Sequence, residues 1–484
     1  MNPTRRSFLY SFGEKYALLL LATVGTMLIS RILTPAEIGV YSVGAMLAGL
    51  AHVVRDFGVG QYVIQEKELT QEKLRAALGA SLCAAWLLAL VVFAAAAPMS
   101  RFYATPRLEH VLWILALNFA LVPLTAIVLP CLRRAMRFGA IFAINGAHGV
   151  CQLACTLTLA LSGYGSLSLA WGALAGTGGA LLASCWLRPA GMPWRPAVRG
   201  IGAIARFGGY ATAGGLIDEA GVAAPDLIAG KLVGMEGAGI LSKAQGMIGL
   251  FNQAITSAVS PVFFPLYAAH ARTGADVLPV YLTTVSCMTA LAWPFFTFLG
   301  AMAPPIVRLL YGDQWGAAVP LIRIICFASA LYSMFSMARY LFVATGHVRA
   351  QARLDAQAVP VRIVALLLAA PLGLEALAWA IVLGSVFRSW LTWRYLRRIA
   401  GLQWPALHHA VRGSAGLAAL TALAVFAAHA VIAAPYPMAR LAGAALLALA
   451  LWLAGLVRLR HPLANELGVA VRAWRRRTAG NGER

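Results

Sequence analysis

The sequence predicts an all-α integral membrane protein. Of its 484 residues, 61% are hydrophobic and only 12% are charged, and the mean hydropathy is +0.76. A soluble domain averages roughly 45–50% apolar and about 25% charged residues. A membrane-spanning helix needs about 20 apolar residues, so the chain has enough for about 14 transmembrane helices. This composition excludes a soluble enzyme, a disordered chain and a fibre.

Apolar runs of membrane-spanning length follow one another along the whole chain. The first six lie at about 16–34, 38–57, 76–98, 110–131, 138–161 and 166–187. After a stretch rich in proline and arginine, six more lie at about 207–233, 237–262, 279–302, 317–343, 354–371 and 375–393. The last two follow a second basic stretch and lie at about 413–433 and 438–457.

These runs divide the chain into six predicted segments. They are an N-terminal six-helix bundle (1–187), a cytoplasmic linker (188–206), a C-terminal six-helix bundle (207–393), a basic cytoplasmic linker (394–412), two additional helices (413–457) and a basic cytoplasmic tail (458–484). We expect the two bundles to be pseudo-symmetric.

The distribution of basic residues predicts that both termini are cytoplasmic. The predicted outside loops contain only Arg101, Arg107, Arg308 and Arg440, and most of the other Lys and Arg residues fall in the alternate loops. Cytoplasmic loops of membrane proteins carry such an excess. The net charge of +22 is therefore interpreted as topology, not as a sign of a nucleic-acid partner. The pair Arg5-Arg6 is interpreted as a basic flank of the first helix and not as an export signal.

A short internal repeat relates the two predicted bundles. The segment from Arg31 to Ser42 aligns with the segment from Lys231 to Ser242, and Gly39 then coincides with Gly239. Because each half has six predicted helices and enters from the cytoplasm, the halves are parallel repeats. Transporters built from such repeats place the substrate between the halves.

No catalytic motif is present in the sequence. We find no HExxH, no GxGxxG and no phosphate-binding loop. The sequence therefore predicts a transporter and not an enzyme, without a cofactor or metal. The expected driving force is a proton or cation gradient, or the gradient of the substrate itself.

Ionisable residues inside the apolar runs are the candidate functional residues. Each costs roughly 2.5–3.5 kcal/mol at a helix centre, so each should face a partner or a water-filled cavity. The predicted substrate-facing residues are Arg31, Arg55, Asp56, Asp218, Glu219, Asp226, Lys231, Lys243, Arg323, Arg339 and Arg362. His52, His148 and Arg388 also lie at membrane depth. Alternatively, Arg55, Arg339 and Arg388 extend to the cytoplasmic surface and Arg31 and Lys231 to the outer surface, and His148 is a packing residue.

The run at 207–233 carries the strongest signal. Asp218 and Asp226 are about two helical turns apart, so they share a helix face. The run is rich in glycine, and Pro225 removes a backbone hydrogen bond beside Asp226. Arginine in such a cavity would bind phosphate through its fork of donors.

The chain resembles the polysaccharide-transporter branch of the multidrug/oligosaccharidyl-lipid/polysaccharide exporter superfamily, the Wzx-type flippases. The resemblance covers most of the chain. The segments that carry it are Ile29–Gly39, Arg55–Gly58 continuing into Gln61–Thr70, Asp226–Gly234 and Leu309–Trp315.

The resemblance implies a bacterial inner-membrane protein with two six-helix bundles and alternating access. Such proteins move undecaprenyl-diphosphate-linked oligosaccharide from the cytoplasmic to the periplasmic leaflet, for exopolysaccharide, capsule or O-antigen assembly. It also implies that transport is coupled to protons or cations and that the protein contacts membrane lipids. The resemblance further implies that the protein acts together with a polymerase and a chain-length regulator of the same pathway.

Three other functions remain open on the sequence. A cation-coupled drug exporter would use Asp218, Glu219 and Asp226 to bind cationic substrates. The first hypothesis, a flippase for lipid-linked oligosaccharide, predicts a cationic cavity, which Lys243, Arg323, Arg339 and Arg362 would supply. A lipid II flippase cannot be separated from this first hypothesis by charge. A membrane-bound enzyme of polymer assembly would need a sugar-binding domain, for which the predicted outside loops are too short.

Overall fold

The computed structural model describes most of the chain, and every regular element in the described residues is helical. The described residues are 3–56, 59, 63, 66, 70–189, 192–193, 195–197, 201–251, 255, 257–431 and 437–464. The description does not include the side chains at 3–15, 56, 124, 201, 203–214, 257–258, 260–262 and 437.

Nineteen α-helices occur in these residues. They are α1 (Pro3–Ile32), α2 (Pro35–Asp56), α3 (Gln71–Phe102), α4 (Pro106–Leu121), α5 (Pro123–Ala126), α6 (Val128–Arg134), α7 (Phe138–Leu161), α8 (Ser166–Leu187), α9 (Ile201–Leu232) and α10 (Met235–Phe251). The remainder are α11 (Ser257–Thr273), α12 (Leu278–Ala301), α13 (Ala303–Leu310), α14 (Ala318–Ser333), α15 (Ala338–Ala344), α16 (Val348–Ala369), α17 (Leu374–Ala400), α18 (Trp404–Val431) and α19 (Pro437–Arg458). Short 3-10 helices lie at Asp313–Trp315 and Ala370–Leu372.

The helices confirm the predicted fold class. Within the described residues, ten helical segments are long and apolar enough to cross a membrane, and α1 adds the shorter apolar stretch Tyr16–Ile32. Every predicted apolar run overlaps one, two or three consecutive helices. The chain is a multi-pass membrane protein. The count of about 14 spans and the cytoplasmic position of both termini stay predictions.

The chain forms two compact units. The first comprises Met1–Ser242 and Leu310–Trp315, and the second comprises Lys243–Leu309 and Gly316–Arg484. The first unit extends beyond the predicted linker at 188–206, because α9 packs against α2 and α3 of that unit.

Glycines let α9 lie close along α2 in the first unit. A Cβ atom on Gly215 would lie 2.9 Å from Val53 Cγ1, and one on Gly230 would lie 2.6 Å from Val43 Cγ2. Glycine lacks that atom and so permits this approach. Since the order of contacts reverses along the two helices, α9 runs antiparallel to α2.

The segment Leu310–Trp315 caps the C-terminal end of α1. Trp315 is fully buried, and its Nε1 donates to the Ser30 carbonyl over 2.8 Å. Gln314 Nε2 donates to the carbonyls of Ser30 and Leu33 over 2.6 and 3.1 Å. The last carbonyls of a helix have no partner within the helix, and these side chains supply one.

The described part of the predicted linker is bound to α3. The Ala197 N–H donates to the Arg75 carbonyl over 2.9 Å, and Arg75 Nε donates to the Arg195 carbonyl over 3.3 Å. A Cβ on Gly79 would lie 2.2 Å from the Ala197 oxygen. Residues 195–197 are therefore part of the first unit.

In the second unit, the last two helices pack against α12. Trp452 of α19 donates its Nε1–H to the Ala290 carbonyl over 2.9 Å. Tyr281 and Phe342 are fully buried in the apolar core, which also includes Leu417 of α18. The two additional helices thus belong to the core of this unit.

Candidate functional site

A cavity of about 370 Å³ lies inside the first unit. Helices α2, α4, α5, α6, α7 and α8 contribute to its wall. The polar residues of the wall are Tyr41, His52, Arg55, Asn118, Thr125, Asn145, His148 and Thr177. The remaining lining residues are apolar.

The helical period brings these residues to one place. On α2, Tyr41, Ala45, Ala48, His52 and Arg55 line the cavity at spacings of three and four. Residues at such spacings share one helix face. The alanines in this stripe are small, and this leaves space inside the bundle. The cavity therefore follows from the sequence pattern of α2 once the other helices surround it.

Arg55 is the charged group of the cavity wall. The residue is only 6% exposed, and its Nη2 lies 2.8 Å from Nε2 of His52. Because a guanidinium can only donate, His52 Nε2 accepts and carries no proton in this arrangement. The guanidinium carbon also lies 5.9 Å from the centroid of the Phe119 ring, within cation–π range. The wall thus holds a fixed positive charge against an aromatic face.

Asn118 adds a buried acceptor to the same wall. Its Oδ1 atom is buried and has no hydrogen-bond partner among the residues that the structure describes. A buried acceptor without a partner costs roughly 1–3 kcal/mol, so a ligand that supplies a donor gains that energy. Among the lining residues that the structure describes, none is Asp or Glu. The cavity thus offers one cation and several neutral polar groups.

The carboxylate of Glu219 comes near this cavity without lining it. Gly49 is a lining residue, and a Cβ atom added to it would lie only 2.9 Å from the Oε1 atom of Glu219. Asp226, seven residues further along α9, is 2% exposed. Asp218 is half-buried. The predicted acidic helix therefore exists and contacts α2.

Lys231, at the end of α9, contacts α3. Its Nζ donates to the Phe102 carbonyl and lies 4.4 Å from the centroid of the Phe102 ring. The Lys231 side chain is exposed. Its position supports a role in attaching α9 to α3.

In the second unit, a buried carboxylate organises three polar side chains. Asp355 on α16 is 5% exposed and accepts from Arg388 Nη2 over 2.7 Å and from Gln351 Nε2 over 2.8 Å. Arg339 Nη2 lies 3.8 Å from Oδ2 of the same carboxylate. The predicted residue Arg339 and the membrane-depth residue Arg388 thus meet at Asp355.

The other predicted residues lie apart from these groups. Arg31 is exposed beside Gly312, and Arg323 is exposed with its Nε donating to the Gly300 carbonyl over 3.3 Å. Arg362 packs along Gly384, where a Cβ would lie 3.1 Å from its Cγ.

Two predicted site residues remain to be placed. Lys243 is partly buried on α10, and the side chain of Asp56 lies outside the described residues. A common cationic cavity of Lys243, Arg323, Arg339 and Arg362 stays a prediction.

Sequence reasoning missed Asn118, Asn145 and Asp355 as site residues. Asn118 and Asn145 are polar residues inside the predicted runs 110–131 and 138–161, and that position was the available signal. Asp355 is the second residue of the run 354–371, and the rule applied to other ionisable residues would have selected it.

The family described as "Polysaccharide biosynthesis protein" matches residues 28–320, more than half of the chain. The teichuronic acid biosynthesis protein TuaB of Bacillus subtilis (strain 168) is 21% identical over 58% of this chain and 59% of its own length. The succinoglycan biosynthesis transport protein ExoT of Rhizobium meliloti (strain 1021) is 24% identical over 66% of this chain and 64% of its own.

A third curated relative is the lipopolysaccharide biosynthesis protein WzxC of Escherichia coli (strain K12). It is 20% identical over 65% of this chain and 64% of its own length. The chain thus spans about three fifths of the length of the curated relatives it matches.

Two solved structures share the fold. The lipid II flippase MurJ in its inward closed conformation superposes with a TM-score of 0.77 at 11% identity, covering 93% of this chain and 99% of that one. An inward-facing multidrug resistance transporter of the MATE family superposes with a TM-score of 0.63 at 14% identity, covering 79% and 94%. At these identities the likeness shows the fold alone.

Proposed function

The chain belongs to the family of polysaccharide biosynthesis proteins, and we propose that it is a flippase for polyprenyl-diphosphate-linked oligosaccharide. It moves this substrate from the cytoplasmic to the periplasmic leaflet of the bacterial inner membrane by alternating access. Family membership confirms the resemblance to the polysaccharide-transporter branch. The multi-pass helical fold agrees with it.

The cavity at Arg55 is the observation that supports this proposal most directly. A cavity inside the helix bundle with a buried cation, two asparagines and hydroxyl groups suits a polar substrate that is neutral or anionic. A drug exporter for cations needs carboxylates in contact with its substrate. Since none of the described lining residues is acidic, the drug-exporter alternative is not favoured.

The names of the relatives support the same proposal. ExoT is named as a transport protein of succinoglycan biosynthesis, and WzxC as a lipopolysaccharide biosynthesis protein. We extend this to the present chain by proposing a pathway that builds an exported polysaccharide. A polymerase and a chain-length regulator of that pathway are the proposed partners, and proton or cation coupling stays a prediction.

A complementation experiment tests the proposal. In cells that lack the protein, lipid-linked repeat units should accumulate in the cytoplasmic leaflet and the polymer should disappear from the surface. The wild-type chain should restore export, whereas Arg55→Gln should not. The control is Arg107→Gln, which removes an exposed ion pair of 3.8 Å with Glu37 and should export normally. Full export without the protein would refute the proposal.

A further inference from the structure

We propose that one end of the second unit, where α17, α18 and α19 meet, binds the head groups of anionic phospholipids of the surrounding bilayer. The loop charges predict that this end lies at the cytoplasmic surface. The inference concerns the lipid around the protein and not the transported substrate, so it does not depend on the proposed function. The arginines of this end, together called the basic end, are Arg394, Arg397, Arg398, Arg412, Arg458 and Arg460.

The end of α17 and the beginning of α18 are neighbours. Gly401 follows α17 with a left-handed backbone at φ 68°, and α18 begins at Trp404. The Leu402 N–H donates to the Leu396 carbonyl over 3.4 Å, which turns the chain back on α17. Leu396, Leu402 and Leu407 all belong to one buried apolar cluster. The short connection is therefore fixed against the core of the unit.

The end of α19 lies beside the beginning of α18. A Cβ atom on Gly413 would lie 2.9 Å from His461 Cδ2, and one on Gly416 would lie 3.2 Å from Leu459 Cδ1. Because the order of contacts reverses along the two segments, they run antiparallel. Three arginines adjoin these contacts in the sequence and therefore share this end: Arg412, Arg458 and Arg460.

The basic end carries a positive charge that the described residues do not neutralise. All six arginines are exposed, and none lies within 4.0 Å of a carboxylate oxygen in the described part of the chain. The sequence from 376 to 464 contains no Asp or Glu, and the segment 465–484 adds five Arg and only two Glu. Clusters of roughly four to eight basic residues at the cytoplasmic ends of membrane helices attract anionic lipid.

Two guanidinium groups of the basic end lie over indole rings. The guanidinium carbon of Arg394 lies 5.7 Å from the centroid of the Trp390 ring, and that of Arg397 lies 5.7 Å from the centroid of the Trp393 ring. Neither arginine donates a hydrogen bond to the described residues, so its N–H groups are available to a ligand. The ring contact positions each fork of donors, and such a fork binds two oxygens of one phosphate.

Exposed apolar side chains beside these charges favour a lipid over a soluble anion. Trp390 is 48% exposed and Trp404 is 59% exposed. Val457 and Leu459 are exposed on either side of Arg458 in the sequence. Indole rings at the ends of spanning helices are typical of the head-group region. A phospholipid offers a phosphate to the arginines and acyl chains to the apolar side chains, whereas a soluble polyanion offers only charge.

Lipid titration of the purified full-length protein in a neutral detergent tests this inference, with bound lipids counted by native mass spectrometry. The probes are anionic phosphatidylglycerol and zwitterionic phosphatidylcholine with the same acyl chains. We expect phosphatidylglycerol to bind about tenfold more tightly. Two competitors, inorganic phosphate and geranylgeranyl diphosphate, should not displace it when each is present at the concentration of the lipid.

A paired substitution separates a site from the effect of charge alone. Arg394→Gln combined with Arg397→Gln should weaken phosphatidylglycerol binding about tenfold. The matched control combines Arg349→Gln with Arg353→Gln. It removes the same charge from two exposed arginines of α16 that lie over no aromatic ring of the described residues. Binding by this control should change less than about twofold.

A single substitution tests the contribution of the rings. Trp390→Leu should weaken phosphatidylglycerol binding, because the ring positions the Arg394 guanidinium. Its control is Trp379→Leu, which removes a 56% exposed indole from the same helix and should bind as wild type. A thermal unfolding curve shows whether each variant is folded. If the paired glutamine variant is not, Arg394→Lys combined with Arg397→Lys replaces it and should also bind more weakly, because lysine lacks the fork of donors.

Three results would overturn the inference. They are equal binding of the two lipids, an equal loss in the paired variant and in its matched control, and displacement by either competitor. Displacement by geranylgeranyl diphosphate would assign the surface to a prenyl-diphosphate substrate, and displacement by phosphate would assign it to free anions. Selective binding that is weakened at Arg394 and Arg397 but not in the control would support the inference, whether or not the protein moves a lipid-linked glycan.

Discussion

Gly39 of α2 and Gly239 of α10 lie directly against each other. A Cβ on Gly39 would lie 1.7 Å from the Met235 carbonyl oxygen, and one on Gly239 would lie 1.9 Å from the Pro35 oxygen. The contact is thus nearly symmetric, with each glycine over the first residue of the other helix. The hydroxyls of Ser42 and Ser242 are hydrogen-bonded over 2.7 Å, so a second pair from the repeat also meets.

Gly39→Ala should destabilise the protein because the new methyl group would overlap a backbone oxygen that cannot move independently. Overpacking costs roughly 1–3 kcal/mol, and a backbone clash lies at the upper end. Thermal unfolding in detergent measures the loss. The matched control is Gly246→Ala, also on α10, where no atom of the described residues beyond the local helix backbone lies within 4 Å of the added carbon. Equal melting temperatures for both variants would show that the crossing is not close.

Asp355→Asn should destabilise the second unit. The substitution removes the charge that balances Arg388, and breaking a buried ion pair costs roughly 3–5 kcal/mol. Arg388→Gln should cost a similar amount, and the double variant should lose less than the sum, because the two side chains interact directly at 2.7 Å. Thermal unfolding of the four proteins measures this coupling. Additive losses would contradict the pairing.

His461 should make the attachment of the terminal helices sensitive to pH. It lies beyond the spanning segment of α19, and its Nδ1 accepts from the Leu463 N–H over 3.2 Å. The proton of the neutral ring is therefore on Nε2, which lies 3.2 Å from Ser286 Oγ and 3.3 Å from Ser414 Oγ. Protonation of the neutral ring would add a proton to Nδ1. This proton would point at the Leu463 N–H, which Nδ1 could then no longer accept.

The direction of the pH effect follows from burial, which lowers the pKa of His461 below 6.5. When the terminal helices detach, the His461 ring becomes exposed and binds a proton more readily than it does when buried. The attachment of these helices is therefore at full strength above pH 6.5 and weakens as the pH falls below that value. After correction for the intrinsic pH dependence of amide exchange, hydrogen-exchange protection in α18 should be lower at pH 5.5 than at pH 7.5. In His461→Gln this pH dependence should be lost, and if it persists unchanged another group is responsible.

Substitution of Arg362 tests the predicted cationic group in the second unit. We expect Arg362→Ala and Arg323→Ala to reduce polymer export while the protein remains in the membrane. Arg353→Ala is the control for Arg362, since Arg353 is an exposed residue on the same helix. Surface polymer and immunoblots of membranes measure the two effects. Normal export in both variants would remove these arginines from the site.

The fold could be predicted from the sequence because apolar runs and their helical period are local properties. The run at 38–57 became α2, and its stripe from Tyr41 to Arg55 follows from helical spacing alone. The repeat at Gly39 and Gly239 was visible as a similarity. That the two copies touch each other could not be deduced, because the contact depends on tertiary packing.

The candidate site could be predicted only in part. Arg55 was selected because a charge at membrane depth is costly, but the cavity that surrounds it is completed by five helices that lie at least 50 residues further along the chain. Asn118 carries no charge, so the same rule passed over it. Nor does a charge pattern show which carboxylate an arginine contacts. Arg339 and Arg388 could be selected for their charge, but their meeting at Asp355 needed the structure.

Transbilayer movement of a fluorescent polyprenyl-diphosphate oligosaccharide in proteoliposomes tests the central claim most directly. Its loss to a membrane-impermeant quencher is followed with and without a pH gradient. The account predicts movement that depends on the protein and is strongly reduced by Arg55→Gln but not by Arg107→Gln. No movement in vesicles that do transport a cationic dye would contradict it and support a drug exporter instead.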